Sequence, residues 1–157
     1  MSEIQLRPTV ATDLPKLMAL DHNTNSESVW QLELKRNTGQ VSATFREVRL
    51  PRSIQVEYPH NKFALADDWV RKSMMYTAIM NNDQVGYLSL LERGTASVVW
   101  ITDLVVDVSF RRRGVASALL ASAQGWAETR QHRRLILEMQ SKNLPDIRLA
   151  QQFGYEF

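Results

Sequence analysis

Apolar and polar positions along the chain follow two periods, and the change between them marks its elements. Ile101 to Val108 reads ITDLVVDV, a β-branched, aliphatic run of the kind a buried strand carries. Further on, Val115, Ala116, Leu119, Leu120, Ala123, Trp126 and Ala127 recur at helical spacing, which predicts a helix from about Gly114 to His132. The rest of the chain is arranged around this strand–turn–helix unit. Ile4–Arg7 alternates and predicts a short strand closed by Pro8. Thr12-Asp13-Leu14-Pro15 predicts a helix start, with Thr12 as its N-cap and Leu14, Leu17 and Met18 on the buried stripe. Asp21–Ser28 is polar and predicts irregular chain.

Trp30, Leu32 and Leu34 alternate with Gln31, Glu33 and Lys35, then Asn37-Thr38-Gly39 supplies turn chemistry and Val41, Ala43 and Phe45 resume the alternation. This predicts a β-hairpin over Val29–Val48. Leu50-Pro51 ends it, with a separate extended piece at Ile54–Tyr58, while Ala66–Trp69 has no settled period. A second hairpin is predicted from Met74–Met80 and Val85–Leu91, joined across Asn81–Gln84, with the next turn at Gly94-Thr95. Leu135–Gln140 predicts a strand and Asn143–Phe153 a short helix, with Pro145 in its first turn and Gly154 at its end. Hairpins followed by strand–helix–strand–helix indicate an α+β or mixed α/β sandwich.

A chain of 157 residues is expected to form one domain, 1–157, burying about 70% of its unfolded surface. Its 44% hydrophobic and 23% charged residues are ordinary for a globular protein. No apolar stretch nears the ~20 residues of a membrane span, and a cytoplasmic protein is the expectation. Without cysteine the chain has no disulfide, thiol nucleophile or thiolate metal site. His22, His60 and His132 are scattered, so no metal is expected. A net charge of +2 is too weak a bias to argue for nucleic acid.

The chemistry concentrates after Phe110. Arg111-Arg112-Arg113-Gly114-Val115-Ala116 joins the strand to the helix, with Gly114 and Ala116 where bulk would obstruct. The first N–H groups of a helix lack intrahelical partners and sit at the positive end of its dipole, so an anion, above all a phosphate, suits that place. Three arginines at a helix N-terminus oppose the dipole unless an anion joins them; a plain solvated basic patch is the other reading.

Arg111-x-x-Gly114-x-Ala116 after a strand resembles the R/Q-x-x-G-x-G/A signature of the GCN5-related N-acetyltransferase (GNAT) superfamily. Leu137-Glu138, Asn143, Arg148-Leu149 and Phe153-Gly154-Tyr155-Glu156 are similar to its LE…N…A…LY…GFE segment. The matched stretch runs from about Val99 to Phe157, and the tail resembles streptothricin-type and ribosomal-protein-type acetyltransferases. The resemblance implies a splayed mixed sheet flanked by helices, from which this chain is expected to depart by an extra N-terminal β-hairpin and a truncated C-terminal end. It implies acetyl-CoA as cosubstrate, its pantetheine amides pairing with the main chain of Leu104, Val105 and Val106. The pyrophosphate would sit on the amides of Arg112, Gly114, Val115, Ala116 and Ser117, with the side chains of Arg111, Arg112 and Arg113 near the phosphates. Asn143 matches an asparagine that contacts the pantetheine arm in relatives.

Asp103 and Glu138 are the candidate general bases, each with an alternative: Asp103 an ordinary ion-pair carboxylate, Glu138 a solvated one opposite the Leu135–Leu137 face. Relatives place a tyrosine acid where this chain has Ala150, and they continue past the GFE motif into a closing hairpin where this chain stops at Phe157. An uncovered edge at Leu135–Gln140, and with it either a homodimer or an aggregation-prone truncation, is therefore expected. The expected activity is transfer of an acetyl group to a primary amine of a small molecule or peptide. A non-catalytic module that binds or senses coenzyme A is the alternative.

Overall fold

The computed structural model describes residues 3–94 and 97–157, so Thr95 of the expected Gly94-Thr95 turn lies outside the described residues. In chain order the elements are β1 (Gln5–Pro8), α1 (Leu14–Ala19), β2 (Thr24–Asn37), β3 (Gln40–Val56), α2 (Leu65–Asp68), β4 (Met74–Met80), β5 (Asp83–Glu92), β6 (Val98–Val106), α3 (Val115–Thr129), β7 (Arg134–Leu137) and α4 (Leu144–Gln152). They fall into two compact units, residues 1–22 with 58–138 and residues 23–57 with 139–157.

The first unit is built on a five-stranded sheet in the order β1-β4-β5-β6-β7. All neighbours are antiparallel except β6 and β7, which run parallel. β4 and β5 meet through Asn81 and Asn82, at φ +53° and +63°, with Met80 paired to Asp83. That is a two-residue turn, tighter than the four-residue connection the sequence suggests, and asparagine tolerates its left-handed backbone. α3 packs on β5 and β6, burying Val115, Leu119, Leu120, Ala123 and Ala127. α1 packs on β5, where Leu14, Leu17 and Leu20 join Leu65, Met75, Tyr87 and Val105 in one core cluster. Leu17 is fully buried, and burying one such side chain is worth ~1.5–3 kcal/mol. Ala66–Trp69, without a settled period in sequence, is the end of α2 and the start of a 3-10 turn.

Gly86 is required by proximity. A Cβ there would lie 2.6 Å from the carbonyl oxygen of Val105, so glycine lets β5 lie close against β6. β7 ends at Leu137, three residues earlier than expected, because its last pair with β6 is Ile101–Leu137. Beyond that point no ladder with β6 keeps Glu138–Gln140 in a strand.

The start of α1 is held by Asp13 and not by Thr12, whose side chain is exposed. Asp13 is buried and forms two 2.7 Å bonds with the Arg7 guanidinium. It also accepts from the Val10 N–H at 3.0 Å, Gln84 Nε2 at 3.1 Å and Thr77 Oγ1 at 3.3 Å. Hydrogen bonding from Arg7 outweighs burial and lowers the carboxyl from 3.8 to about 2.

In the second unit β2 and β3 form a hairpin longer than predicted, turning at Thr38-Gly39, where Gly39 has φ +75°. Pro51 does not end it. The register passes from Ser28–Arg49 to Ser26–Ile54, so Leu50–Ser53 bulges opposite Glu27 alone, and Pro51 sits where its missing N–H interrupts no ladder bond. Trp30, Leu32 and Leu34 share one face of the ribbon with Phe45 and Ala43, the cross-strand neighbours of Leu32 and Leu34. Phe157 stacks on Phe45 at a 5.3 Å centroid distance and tilts against Trp30 at 5.8 Å. α4 packs on β2, and its Arg148 pairs with Glu47 at 2.6 Å.

Two predictions follow from these contacts. Gly86→Ala should lower stability by ~1–3 kcal/mol in urea unfolding, because the obstacle is backbone and cannot step aside. Asp13 has a depressed folded pKa, so its contribution is complete above pH 4 and is lost as pH falls toward 2. Urea unfolding between those limits should show wild type losing about 2 kcal/mol that Asp13→Asn, already weaker at pH 7, does not lose.

Candidate functional site

The turn between β6 and α3 is shaped by two left-handed residues, Arg112 at φ +62° and Gly114 at φ +84°. A Cβ on Gly114 would meet only the Ile4 Cδ1 atom, at 3.8 Å, so glycine is needed there for its backbone angle and not for space. The Ala118 N–H donates to the Gly114 carbonyl at 2.9 Å and is the first satisfied within α3. The N–H groups of Val115, Ala116 and Ser117 therefore have no intrahelical partner. A left-handed residue followed by helical ones makes a concave array of N–H groups, and the helix dipole adds positive potential.

The arginines divide. Arg112 and Arg113 are exposed beside this array, with Arg113 over the Phe110 ring at 5.3 Å. Arg111 turns to main chain: Nε donates to the Val106 carbonyl at 2.9 Å and Nη2 to the Asp21 carbonyl at 3.1 Å. It ties the end of α1 to the end of β6, so of the three arginines expected near the cofactor only Arg112 and Arg113 stand exposed beside the array.

β6 is paired with β5 along its length but with β7 only over Val98–Ile101. Thr102–Val106 thus continues with an open edge on the β7 side, among the described residues. The Asp107 N–H donates to the Val85 carbonyl of β5 at 2.9 Å. Strand alternation then turns the main-chain groups of Val105 toward β5 and those of Leu104 and Val106 toward the open edge. Of the three residues expected to offer main-chain groups, Val105 is occupied within the sheet.

Asp103 lies at the centre of a buried polar cluster. Its Oδ2 accepts from Lys72 Nζ at 3.1 Å, from Thr102 Oγ1 at 3.1 Å and from Ser89 Oγ; its Oδ1 accepts from the Tyr58 hydroxyl. Burial opposes the charge, but Lys72 and the bonds from Ser89 and Tyr58 outweigh it and hold the carboxyl below its ordinary value. Tyr58 is hydrogen-bonded to Tyr87. Tyr87 lies 3.0 Å from His22 Nε2, while His22 Nδ1 lies 2.8 Å from the Leu20 carbonyl. Burial raises both tyrosines and lowers His22. A carboxylate with four donors, one of them an ammonium, is a poor proton acceptor.

Glu138, the other candidate base, is exposed just past the end of β7. Asn143 belongs to the second unit as the N-cap of α4, where Oδ1 accepts from the Asp146 N–H at 3.3 Å and Nδ2 donates to Asp146 Oδ2 at 2.6 Å. Sequence reasoning missed Lys72, Ser89 and Thr102. Their signal was the adjacent polar pair Thr102-Asp103 inside an apolar run, which breaks strand alternation. Among the described residues no group of three or more His, Cys, Asp or Glu is placed to hold a metal, and no helix is long and apolar enough to cross a membrane.

The profile of the Acetyltransferase (GNAT) family matches residues 41–155. A search of curated protein sequences returns no match. Among solved structures, nourseothricin acetyltransferase is similar at 23% identity and a TM-score of 0.77, covering 95% of this chain and 81% of its own. A Bacillus anthracis protein described as a streptothricin acetyltransferase, in complex with acetyl coenzyme A, is similar at 21% identity and a TM-score of 0.73, covering 97% of this chain and 84% of its own. The ribosomal-protein-S18-alanine N-acetyltransferase of Escherichia coli is similar at 15% identity and a TM-score of 0.68, covering 98% of this chain and 78% of its own. At these identities the likeness is one of fold, a mixed sheet flanked by helices. With a family profile spanning most of its length over the turn and strands described above, the chain belongs to the GNAT family of acetyltransferases.

Proposed function

We propose that the chain transfers an acetyl group from acetyl-CoA to a primary amine by direct attack of the amine on the thioester. The observation that carries this reading is the conjunction, in one unit, of an open edge on β6 and free amides at the start of α3. Leu104 would pair its main chain with the pantetheine amides as an added strand. Gly114, Val115, Ala116 and Ser117 would cradle the pyrophosphate with their N–H groups, with Arg112 and Arg113 supplying charge beside them. The Val106 N–H would meet the negative charge that develops on the thioester oxygen. Holding two substrates together supplies much of the rate.

Glu138, exposed to solvent, would act as a base through water. Two of the similar folds are named for streptothricin and for an alanine of ribosomal protein S18, which supports small-molecule and peptide amines as acceptor classes. The rival reading, a coenzyme A-binding module without transfer, is favoured by Ala150, which is buried in α4 and has no proton to give. Thiols titrate near ~8.5, so the leaving thiolate does not demand a tyrosine acid.

Thiol release from acetyl-CoA against a panel of small-molecule and peptide amines should show turnover; binding of coenzyme A without turnover would select the rival. Gly114→Val must force a β-branched residue to positive φ, a cost of ~1–2 kcal/mol, so coenzyme A should bind about tenfold more weakly. Unchanged affinity in that variant would remove the phosphate cradle from the reading.

We further infer a homodimer, because β7 is the last strand of its sheet among the described residues and a strand edge invites pairing. Light scattering should report about twice the 18.1 kDa chain mass, and a stable single-chain mass would exclude it.

A further inference from the structure

Opposite Ser89 and Leu90 of β5 the register of β6 passes from Asp103 to Ile101, leaving Thr102 as an extra residue. The insertion has a consequence for main-chain direction. Before it, the Ser73 N–H donates to the Leu90 carbonyl, so Leu90 faces β4 and its neighbour Ile101 faces β7. Strict alternation would then turn Ile101, Asp103 and Val105 to the open edge. With one residue inserted, the outward set becomes Ile101, Leu104 and Val106. The bulge thereby selects which amides the open edge presents.

The same insertion brings Thr102 and Asp103 to one face of the strand, where a single group of side chains holds both. Lys72 Nζ donates to Thr102 Oγ1 at 2.8 Å and to Asp103 Oδ2 at 3.1 Å. The Ser89 hydroxyl lies 2.8 Å from Thr102 Oγ1 and donates to Asp103. Tyr58 donates to the remaining oxygen. Ser89 is fully buried, and Lys72 and Asp103 are 15% and 8% exposed at their side chains. Without the bulge, Thr102 and Asp103 would point to opposite faces and Lys72 could bridge only one of them.

We propose that Asp103, with Lys72 and Ser89, is a positioning residue that pins the Thr102 bulge and so aims the Leu104 and Val106 amides into the open edge. This rests on the acyl-transfer reading for its purpose, but its structural content does not depend on turnover. The titratable groups facing Asp103 are Lys72 and Tyr58, with Tyr87 beyond Tyr58 and His22 beyond Tyr87. A carboxylate so enclosed, with three donors on Oδ2 and Tyr58 on Oδ1, is a poor proton acceptor for an incoming ammonium.

The test uses the full chain in four forms beside wild type: Asp103→Asn, Lys72→Met, Ser89→Ala and the Asp103→Asn/Lys72→Met double variant. Amide hydrogen exchange without ligand should find Val105 at least about tenfold better protected than Leu104 and Val106 in wild type. In the single variants that contrast should shrink or invert, and kcat should fall at least about tenfold with little change in KM for the amine. The double variant should recover part of both losses, since both buried charges leave together. The acid limb of the pH–rate profile should keep its midpoint in Asp103→Asn. An unchanged exchange pattern in all three single variants would overturn the proposal, and so would loss of the acid limb in Asp103→Asn, which would make Asp103 the base. If Asp103→Asn does not fold, Ser89→Ala gives the same readout with a smaller perturbation. An absence of turnover in wild type would sink the acyl-transfer reading while leaving the exchange measurement to decide the bulge.

Discussion

β6 has a hydrogen-bonding partner along its whole length on one side and along only its first half on the other. Backbone N–H and C=O groups are obligatory hydrogen-bonding groups, and a row of them at an open edge will take any extended polar chain of matching spacing. In most sheets that is a liability. Here β7 separates after the Ile101–Leu137 pair, and the free N–H groups that begin α3 lie eleven residues or fewer along the chain from the freed segment. The two features suit different parts of one ligand. A strand edge suits a chain of amides and a helix start suits an anion, and acetyl-CoA has both.

Two buried carboxylates hold this arrangement, by the same means at different places. Asp13 is saturated by Arg7 and by donors from the start of α1, β4 and β5, and it fixes where α1 begins against β1. Asp103 is held by Lys72, Ser89, Thr102 and Tyr58. Removing one partner of such a group would strand a charge in a place water reaches poorly, at a cost well above that of an exposed pair. Arg111 adds a third tie, from its guanidinium to the Val106 and Asp21 carbonyls. Asp103 and Arg111, which sequence reasoning assigns to catalysis and phosphate binding, are thus both engaged by other groups of the fold.

The second unit follows a different logic. A two-stranded ribbon is marginal in water by itself, and this one covers part of its apolar face with its own C-terminal aromatic, Phe157 on Phe45 and Trp30. Leu32 and Val41, nearer the turn, are 48% and 67% exposed. Pro51 is accommodated because four residues bulge at once, an outcome that no local rule about proline anticipates.

Local periodicity was enough to determine the strand–turn–helix unit, both hairpins and the two C-terminal elements, because hydrophobic spacing and turn residues act over a few positions. It also determined the helix start after Arg111-x-x-Gly114-x-Ala116, since that stretch is contiguous and a helix start is a local property. Only the tertiary structure decided what each polar side chain does. Asp103 reads as a base in one dimension; Lys72, Ser89 and Tyr58, which answer its charge, arrive from positions far away in the chain. Whether Val105 or its neighbours face the open edge depends on a one-residue bulge, and pairing register is settled between strands and not within one.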